Sequence, residues 1–461
     1  MSLVRCVIVA IPLVVCLVVG MAAMPVAAEV DWPQWRGPEG QGHAVDAHDL
    51  PLAWSETEHV AWKTPLPGRG WSSPVLDSHH VWMTTAVERP VSAEDRAART
   101  APPSGGQPRN VAAAVSFRAL CVDRETGAVV HDVELFTVED PQPIHALNSF
   151  ASPSPALTEG RLFCHFGDYG TACVDTATGA ILWRTRELRL DHMNGPGSTP
   201  ILHDGLLIVN CDGCDVQEIA ALDVATGRIA WKTARSGPLR DDPDLKKAYA
   251  TPIVVEHDGR DVLVSPGADW LYGYDPKTGA ELWRMSYGEL GFSVVPRPVA
   301  AHGLLFMSTS FNQPRLLAVR LATDGRGAEI VWQEKKAAPS MPSPLIVGDR
   351  LFMVSDKGVA TFLEARTGAA MATLRLGGNF SSSPLFADGR IYVGNRDGET
   401  FVIDPGSGPG FTSKLLAANQ LDGAIFATPA AVGDSLYLRT DTAIYRIRRA
   451  AGQIGDRAAG R

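Results

Sequence analysis

Apolar stretches along this 461-residue chain are short, broken by polar turns, and recurrent. PILHDGLLIVN (200–210), PLIVGDRLFMVS (344–355) and PLFADGRIYVGN (384–395) each show an apolar run, a turn rich in Asp and Gly, and a second apolar run. That alternation predicts β-hairpins. Each hairpin begins at a proline preceded, with one exception, by a small residue: Ser73-Pro74, Ser154-Pro155, Thr199-Pro200, Thr251-Pro252, Arg297-Pro298, Ser343-Pro344, Ser383-Pro384 and Thr428-Pro429. Successive prolines lie 40 to 52 residues apart, except for the first step of 81. A period of that size, with about four short strands per unit, predicts one propeller rather than several separate domains.

A second marker follows inside most units. It reads Asp175, Thr178, Gly179, Trp183; then Asp223, Thr226, Gly227, Trp231; then Asp275, Thr278, Gly279, Trp283. Asp123, Thr126, Gly127 and His131 keep the spacing without the tryptophan, and Glu364, Thr367, Gly368 and Ala372 degrade it further. Asp and Thr side chains bond a turn's own amides, glycine supplies a positive φ, and a large flat ring fills the gap between neighbouring sheets. The last unit supplies only three strands before the chain reaches a polar tail (450–461), whereas Trp62-Lys63-Thr64 matches Trp183-Arg184-Thr185 and Trp231-Lys232-Thr233. The sequence therefore predicts an all-β, eight-bladed propeller over 59–449, built of four-stranded antiparallel blades and closed by an N-terminal strand. Residues 88–115, rich in Ala, Pro, Gly and charge, interrupt blade one. They read as a flexible insertion, either tolerated or serving as a lid or partner arm.

The one long apolar run lies at the start. Arg5 precedes an apolar stretch from Cys6 to about Ala23, and small residues at Val26 and Ala28 complete the layout of a signal peptide cleaved near Ala28. The expected location is therefore the periplasm or beyond, with 29–58 as an N-terminal extension before the ring. The 51 acidic and 42 basic residues give a net charge of −9, which argues against a partner bound through its phosphates. Cys121, Cys164, Cys173, Cys211 and Cys214 follow the signal segment, so at least one thiol has no internal disulfide partner. Cys164 and Cys173 flank one turn and are a candidate cross-strand disulfide, with buried free thiols as the alternative. Cys211 and Cys214 are a candidate loop disulfide or redox pair. The single Cys-x-x-Cys has no following His, which excludes covalent c-type haem.

The Asp-x-x-Thr-Gly-x-x-x-Trp repeat with its proline-marked strand starts resembles the pyrroloquinoline-quinone (PQQ) repeat family. That family includes quinoprotein alcohol dehydrogenases and the BamB-like propellers that assist outer-membrane protein assembly. The opening DWPQWRGPEGQG (31–42) resembles a segment that precedes such propellers in secreted bacterial proteins. The resemblance implies the fold and, in its quinoprotein branch, PQQ with calcium as cofactor. The adjacent cysteine pair of that branch has no counterpart here; the nearest approach is Cys211-Asp212-Gly213-Cys214. No quinone or calcium ligand is carried over, and no cofactor is expected.

Candidate site residues come from the segments just before each inner strand, because loops converge there on a propeller's axis. Trp71, His145, Asn148, Phe150, His192, Asn194, Tyr249, Phe292, Arg297, Asn379, Phe380 and Phe426 would ring one mouth, suited to a planar ligand, a sugar or an extended peptide. The same residues could instead pack blade against blade. His145 and His192 hold nearly equivalent places in neighbouring blades, but two histidines without a third ligand do not make a metal site. Asp212 and Asp215 near Asn210 read as turn residues rather than a calcium loop. The functional expectation is an exported, non-enzymatic propeller that binds an envelope or secreted protein partner, without nucleic acid, as a scaffold for binding or assembly. The alternatives are a quinoprotein oxidoreductase acting on alcohols or sugars, and carbohydrate recognition or cleavage at the aromatic mouth.

Overall fold

Eight antiparallel sheets radiate from a common axis in the computed structural model, which describes residues 30–100, 108–406, 408 and 411–450. Blade two is representative, with strands Ala156–Thr158, Arg161–His165, Thr171–Asp175 and Ile181–Thr185 from axis to rim. Middle strands such as Leu304–Ser308 are buried on both faces, sandwiched between neighbouring blades, whereas the outer strand Ile181–Thr185 alternates half-buried and exposed positions. Blade eight takes Ala430–Val432, Ser435–Arg439 and Ala443–Ile447 from the end of the described chain and its outermost strand, Val60–Pro65, from the start. The predicted signal segment (1–28), residues 101–107 of the insertion and most of the polar tail lie outside the described residues.

The repeated marker works in two directions. Within a blade, Asp175 Oδ1 accepts from the amides of Ala177 (3.1 Å) and Thr178 (2.8 Å) and from the Thr178 hydroxyl (2.7 Å), which pins the turn. Between blades, Trp183 and Trp231 each lie over the turn glycine of the next unit, whereas Trp283 packs over Gly273 of its own blade. A Cβ on Gly227 would come within 2.4 Å of the Trp183 ring, and one on Gly279 within 2.4 Å of Trp231. The glycines are therefore required by close approach as well as by φ near +70°. The indoles then donate to the next blade's backbone, Trp183 to Val224 O and Trp231 to Pro276 O. Ring closure repeats this joint. Trp62 covers Gly127 and donates to Arg124 O (3.0 Å), and Thr64 donates to Gly127 O as Thr233 does to Gly279 O. His131 takes the tryptophan's place over Gly179.

The N-terminal extension fills the axis. Strand Val30–Trp32 adds to the inner edge of blade one, and His43–Ala44 pairs in parallel with Leu385–Ala387 of blade seven. Residues 33–42 cross the ring between them and bond to several blades. Pro33 O accepts from Leu157 N, Trp35 Nε1 donates to Thr428 Oγ1 (3.0 Å), Arg36 Nη2 donates to Pro344 O (2.7 Å), and Gly42 O accepts from Phe386 N. Positive φ at Arg36, Gly37, Gly40 and Gly42 lets this segment fold into a compact plug.

The described parts of the insertion, residues 88–100 and 108–115, include regular elements. Strands His80–Arg89 and Ala114–Asp123 extend blade one outward together with Val129–Glu139. Helix Ala93–Thr100 follows, and Arg109–Asn110 pairs with Ile144–His145. Arg99 anchors the helix by donating to Ala112 O (3.0 Å) and Pro141 O (2.8 Å).

The five described cysteines are free. The hairpin turn between Arg161–His165 and Thr171–Asp175 contains an odd number of residues, Phe166 to Gly170. Phe163 therefore stands opposite Cys173, and Cys164 opposite Ala172. Cys164 and Cys173 are one position out of register and face opposite sides of the sheet, which excludes the cross-strand disulfide. Cys211 is buried within its strand, and Cys214 lies half-buried in the loop that follows, unbonded to it.

Candidate functional site

The small residues before the prolines form the throat of a funnel. Ser73 N donates to Ser154 Oγ (2.8 Å), Ser154 N to Thr199 Oγ1 (3.1 Å), and Thr199 N to Thr251 Oγ1 (3.0 Å). Beyond the next blade the chain of bonds resumes: Arg297 N to Ser343 Oγ (2.9 Å), Ser343 N to Ser383 Oγ (2.9 Å), Ser383 N to Thr428 Oγ1 (3.2 Å), and Thr428 N back to Ser73 Oγ (2.9 Å). Seven of the eight blades thus donate a backbone amide to the hydroxyl of the next, which satisfies buried N–H groups that no sheet ladder reaches. The circle breaks only after Thr251, where Arg297 has no hydroxyl to offer. Its side chain turns inward instead, and Nη1 donates to Trp35 O (3.1 Å).

Above this throat opens a cavity of about 870 Å³ with Trp35 of the plug at its base. One wall is the stacked pair Trp71 and Phe426, with ring centroids 4.1 Å apart and planes 9° from parallel. Arg69 covers the outer side of Trp71 at 4.8 Å, and the indole donates to Leu147 O. The opposite wall is Phe292, flanked by the cations of Lys247 (5.5 Å) and Arg240 (5.8 Å). Leu147 and Phe311, 40% and 39% exposed, stand at the mouth. Arg99, Thr100 and Arg109 bring the insertion to the same rim.

Of the twelve candidate rim residues, seven line this cavity: Trp71, His145, Asn148, Asn194, Tyr249, Phe292 and Phe426. Several of them are committed to the protein. Asn148 Nδ2 donates to Asn194 O and Pro196 O, and Tyr249 donates to His192 O (2.7 Å). The other five lie elsewhere. Phe150 and Phe380 are fully buried between blades, Arg297 holds the plug, and Asn379 accepts from Lys357 Nζ. His192 sits behind the cavity wall, where Nε2 accepts from Asp168 N (2.8 Å). His145 and His192 therefore do not share a site, and no group of three or more metal-ligating side chains occurs among the described residues. Asp212 is no loop ligand either: it forms a bidentate pair with Arg235 (2.9 and 2.7 Å).

The sequence reading missed Trp35, Leu147, Phe311, Lys247, Arg99 and Arg109. A signal for the throat was present: seven of the eight residues before the prolines are Ser or Thr, and the exception, Arg297, marks where the plug is held.

Behind the wall, burial holds His192 down at about 4 and His165 at about 3. Both are neutral in the folded ring yet protonate near 6.5 when unfolded, so the unfolded chain binds more protons between these values. Stability contributed by the neutral rings is complete above pH 6.5 and is lost as pH falls. Each histidine is expected to steepen acid destabilisation by about 1.4 kcal/mol per pH unit near pH 5. Urea titrations from pH 7 to 4.5 check this, and His165→Gln should flatten the slope.

The chain matches the family model described as outer membrane protein assembly factor BamB over residues 80–324 and 267–458. Among curated proteins, it is 22% identical over 253 residues to the outer membrane protein assembly factor BamB of Moranella endobia, covering 54% of this chain and 61% of that protein. To the protein of the same name from Shewanella oneidensis it is 25% identical over 239 residues, covering 48% of this chain and 56% of that protein. The chain thus spans 56 to 61% of the length of these curated relatives. Among solved structures, BamB from Moraxella catarrhalis superposes with a TM-score of 0.50 at 14% identity, covering 78% of this chain and 98% of that one. Quinohemoprotein alcohol dehydrogenase from Comamonas testosteroni superposes at 0.51 and 14% identity, covering 92% and 82%. These two structures share the fold. With the repeat, the eight blades and the matched span together, the chain belongs to the family described as outer membrane protein assembly factor BamB.

Proposed function

We propose that this protein is a non-catalytic binding propeller, exported to the cell envelope, that holds a segment of a partner protein in the mouth of its funnel and so serves as an assembly scaffold. The observation that carries the reading is the wall geometry. A rigid stacked pair, Trp71 and Phe426, faces Phe292 across a cavity whose mouth exposes Leu147 and Phe311. Paired aromatic anchors in a concave surface with a polar rim are the feature that concentrates binding energy in protein interfaces. The assembly-factor name of the curated relatives supports the same direction.

The quinoprotein alternative is not favoured by the donor set. The carboxylates lining the cavity are Asp242 and Asp244, no group of three or more His, Cys, Asp or Glu side chains placed to hold a metal occurs among the described residues, and the Asn148 amide belongs to the loop network. These residues do not fit a calcium ion bridging a quinone. Calorimetric titration with PQQ, with and without calcium, is expected to give no saturable heat; saturable binding with dye-linked alcohol oxidation would establish the alternative.

The positive test compares the wild type with the Trp71→Ala/Phe426→Ala variant. Both rings are only partly buried, so the ring should keep its melting temperature. Retention of an envelope partner should fall at least tenfold, since two aromatic anchors contribute about 2 kcal/mol or more. Unchanged retention would remove the funnel from the account.

A further inference from the structure

Beneath the funnel, one arginine of the plug and one of blade five bring two buried cations together, and no described acidic side chain pairs with either. Arg36 and Arg297 are 1% and 3% exposed, and neither forms an ion pair among the described residues. Their bonds to protein are few. Arg36 Nη2 donates to Gln41 O (3.1 Å) and Pro344 O (2.7 Å), and Arg297 Nη1 donates to Trp35 O (3.1 Å). Arg36 Nε and Nη1 and Arg297 Nε are buried with no acceptor among the described residues.

The surroundings are shaped to admit both guanidinium groups. A Cβ on Gly40 would lie 2.2 Å from Arg297 Nη1, and one on Gly42 would lie 2.8 Å from Arg36 Nη2. Two glycines of one short segment thus make room for one arginine of that segment and one of blade five. Guanidinium is the side chain least able to escape its charge by losing a proton. Like charges repel strongly in a dry interior, and a buried charge without a counter-ion is among the most costly groups a fold can hold. Burial and mutual repulsion press Arg36 down to about 9, and burial presses Arg297 to about 10. Water could take the N–H groups of these three nitrogens but would leave the net charge in place. A small anion answers both needs.

We infer that Arg36 and Arg297 hold a small inorganic anion of the chloride class on the propeller axis, which locks the N-terminal plug to blade five. The anion accepts from N–H groups of both side chains and converts a repulsive pair into a bridge. Since Arg297 also holds Trp35 O, the bridge fixes the base of the funnel from below.

The full-length mature protein crystallised in bromide, with data collected at the bromine absorption edge, tests this directly. The expected result is an anomalous peak within hydrogen-bonding reach of both guanidinium groups. A map with no anomalous peak there, the free N–H groups being bonded to water, would overturn the inference. A second measurement needs no crystal. At constant ionic strength, replacing sodium chloride by sodium gluconate should lower the wild-type melting temperature by about 2 °C or more. Arg297→Gln, which removes one of the two charges, should respond to the exchange by less than half as much. Equal shifts in wild type and variant, or no shift in the wild type, would count against the site.

Discussion

Removing residues 29–64 is expected to turn a cooperatively unfolding protein into an aggregating one. The deletion takes away the outermost strand of blade eight, Val60–Pro65, and leaves Ala443–Ile447, buried at all five positions, as an open edge. An unpaired strand of that kind is a template for pairing with other chains. The same deletion removes the Trp62 joint over Gly127 and the plug that ties several blades across the axis. A milder change isolates the joint. Trp62→Ala removes a ring 8% exposed and its bond to Arg124 O, and should cost about 3–5 kcal/mol in urea titration. A truncated chain that stays monodisperse and unfolds in one transition would contradict the closure.

The second large effect concerns the pair of Asp212 and Arg235. Both side chains are 1% exposed, and the guanidinium also donates to Tyr274 Oη (3.2 Å) and lies over the Tyr272 ring at 4.9 Å. Asp212 ends the strand Leu206–Asp212, and its carbonyl accepts from Ala248 N, next to Tyr249 in the cavity wall. Replacing one partner strands the other as an uncompensated charge in a dry site, so Arg235→Met or Asp212→Ala should each cost about 3–5 kcal/mol. Replacing both by apolar residues of similar volume should cost much less, because no charge is then left unpaired. Chemical denaturation of the two single variants and the double variant checks this. Single-variant losses below about 1 kcal/mol would show that water reaches the pair.

How far these features could be read in advance depended on whether they repeat. The blade count, the Asp175-type turn and the closing role of Trp62-Lys63-Thr64 were legible because the same joint occurs several times and copies can be compared. The plug occurs once. Nothing in DWPQWRGPEGQG shows that Arg36 lies on the axis, since its path depends on positive φ at four positions and on blades distant in sequence. The helix Ala93–Thr100 was hidden by low-complexity composition, although Ser92 and Asp95 form a recognisable N-cap. The candidate mouth residues were only partly separable. In a loop without strand periodicity, sequence cannot distinguish Phe426, which faces the cavity, from Phe380, which turns into the space between blades. The choice between a disulfide and free thiols at Cys164 and Cys173 was left open for a similar reason. The turn around Gly167–Tyr169 holds five residues rather than an even number, and one residue of register decides which face Cys164 occupies.

Site-specific photo-crosslinking in cells tests most directly the claim that the funnel mouth is a recognition surface for an envelope partner. A benzophenone side chain at position 311, in the mouth, is compared with one at position 371, equally exposed on an outer strand of blade six. The account predicts a discrete protein adduct from position 311, none from 371, and loss of the adduct in the Trp71→Ala/Phe426→Ala background. Adduct formation at 371 but not at 311, or no change on removing the two rings, would contradict it.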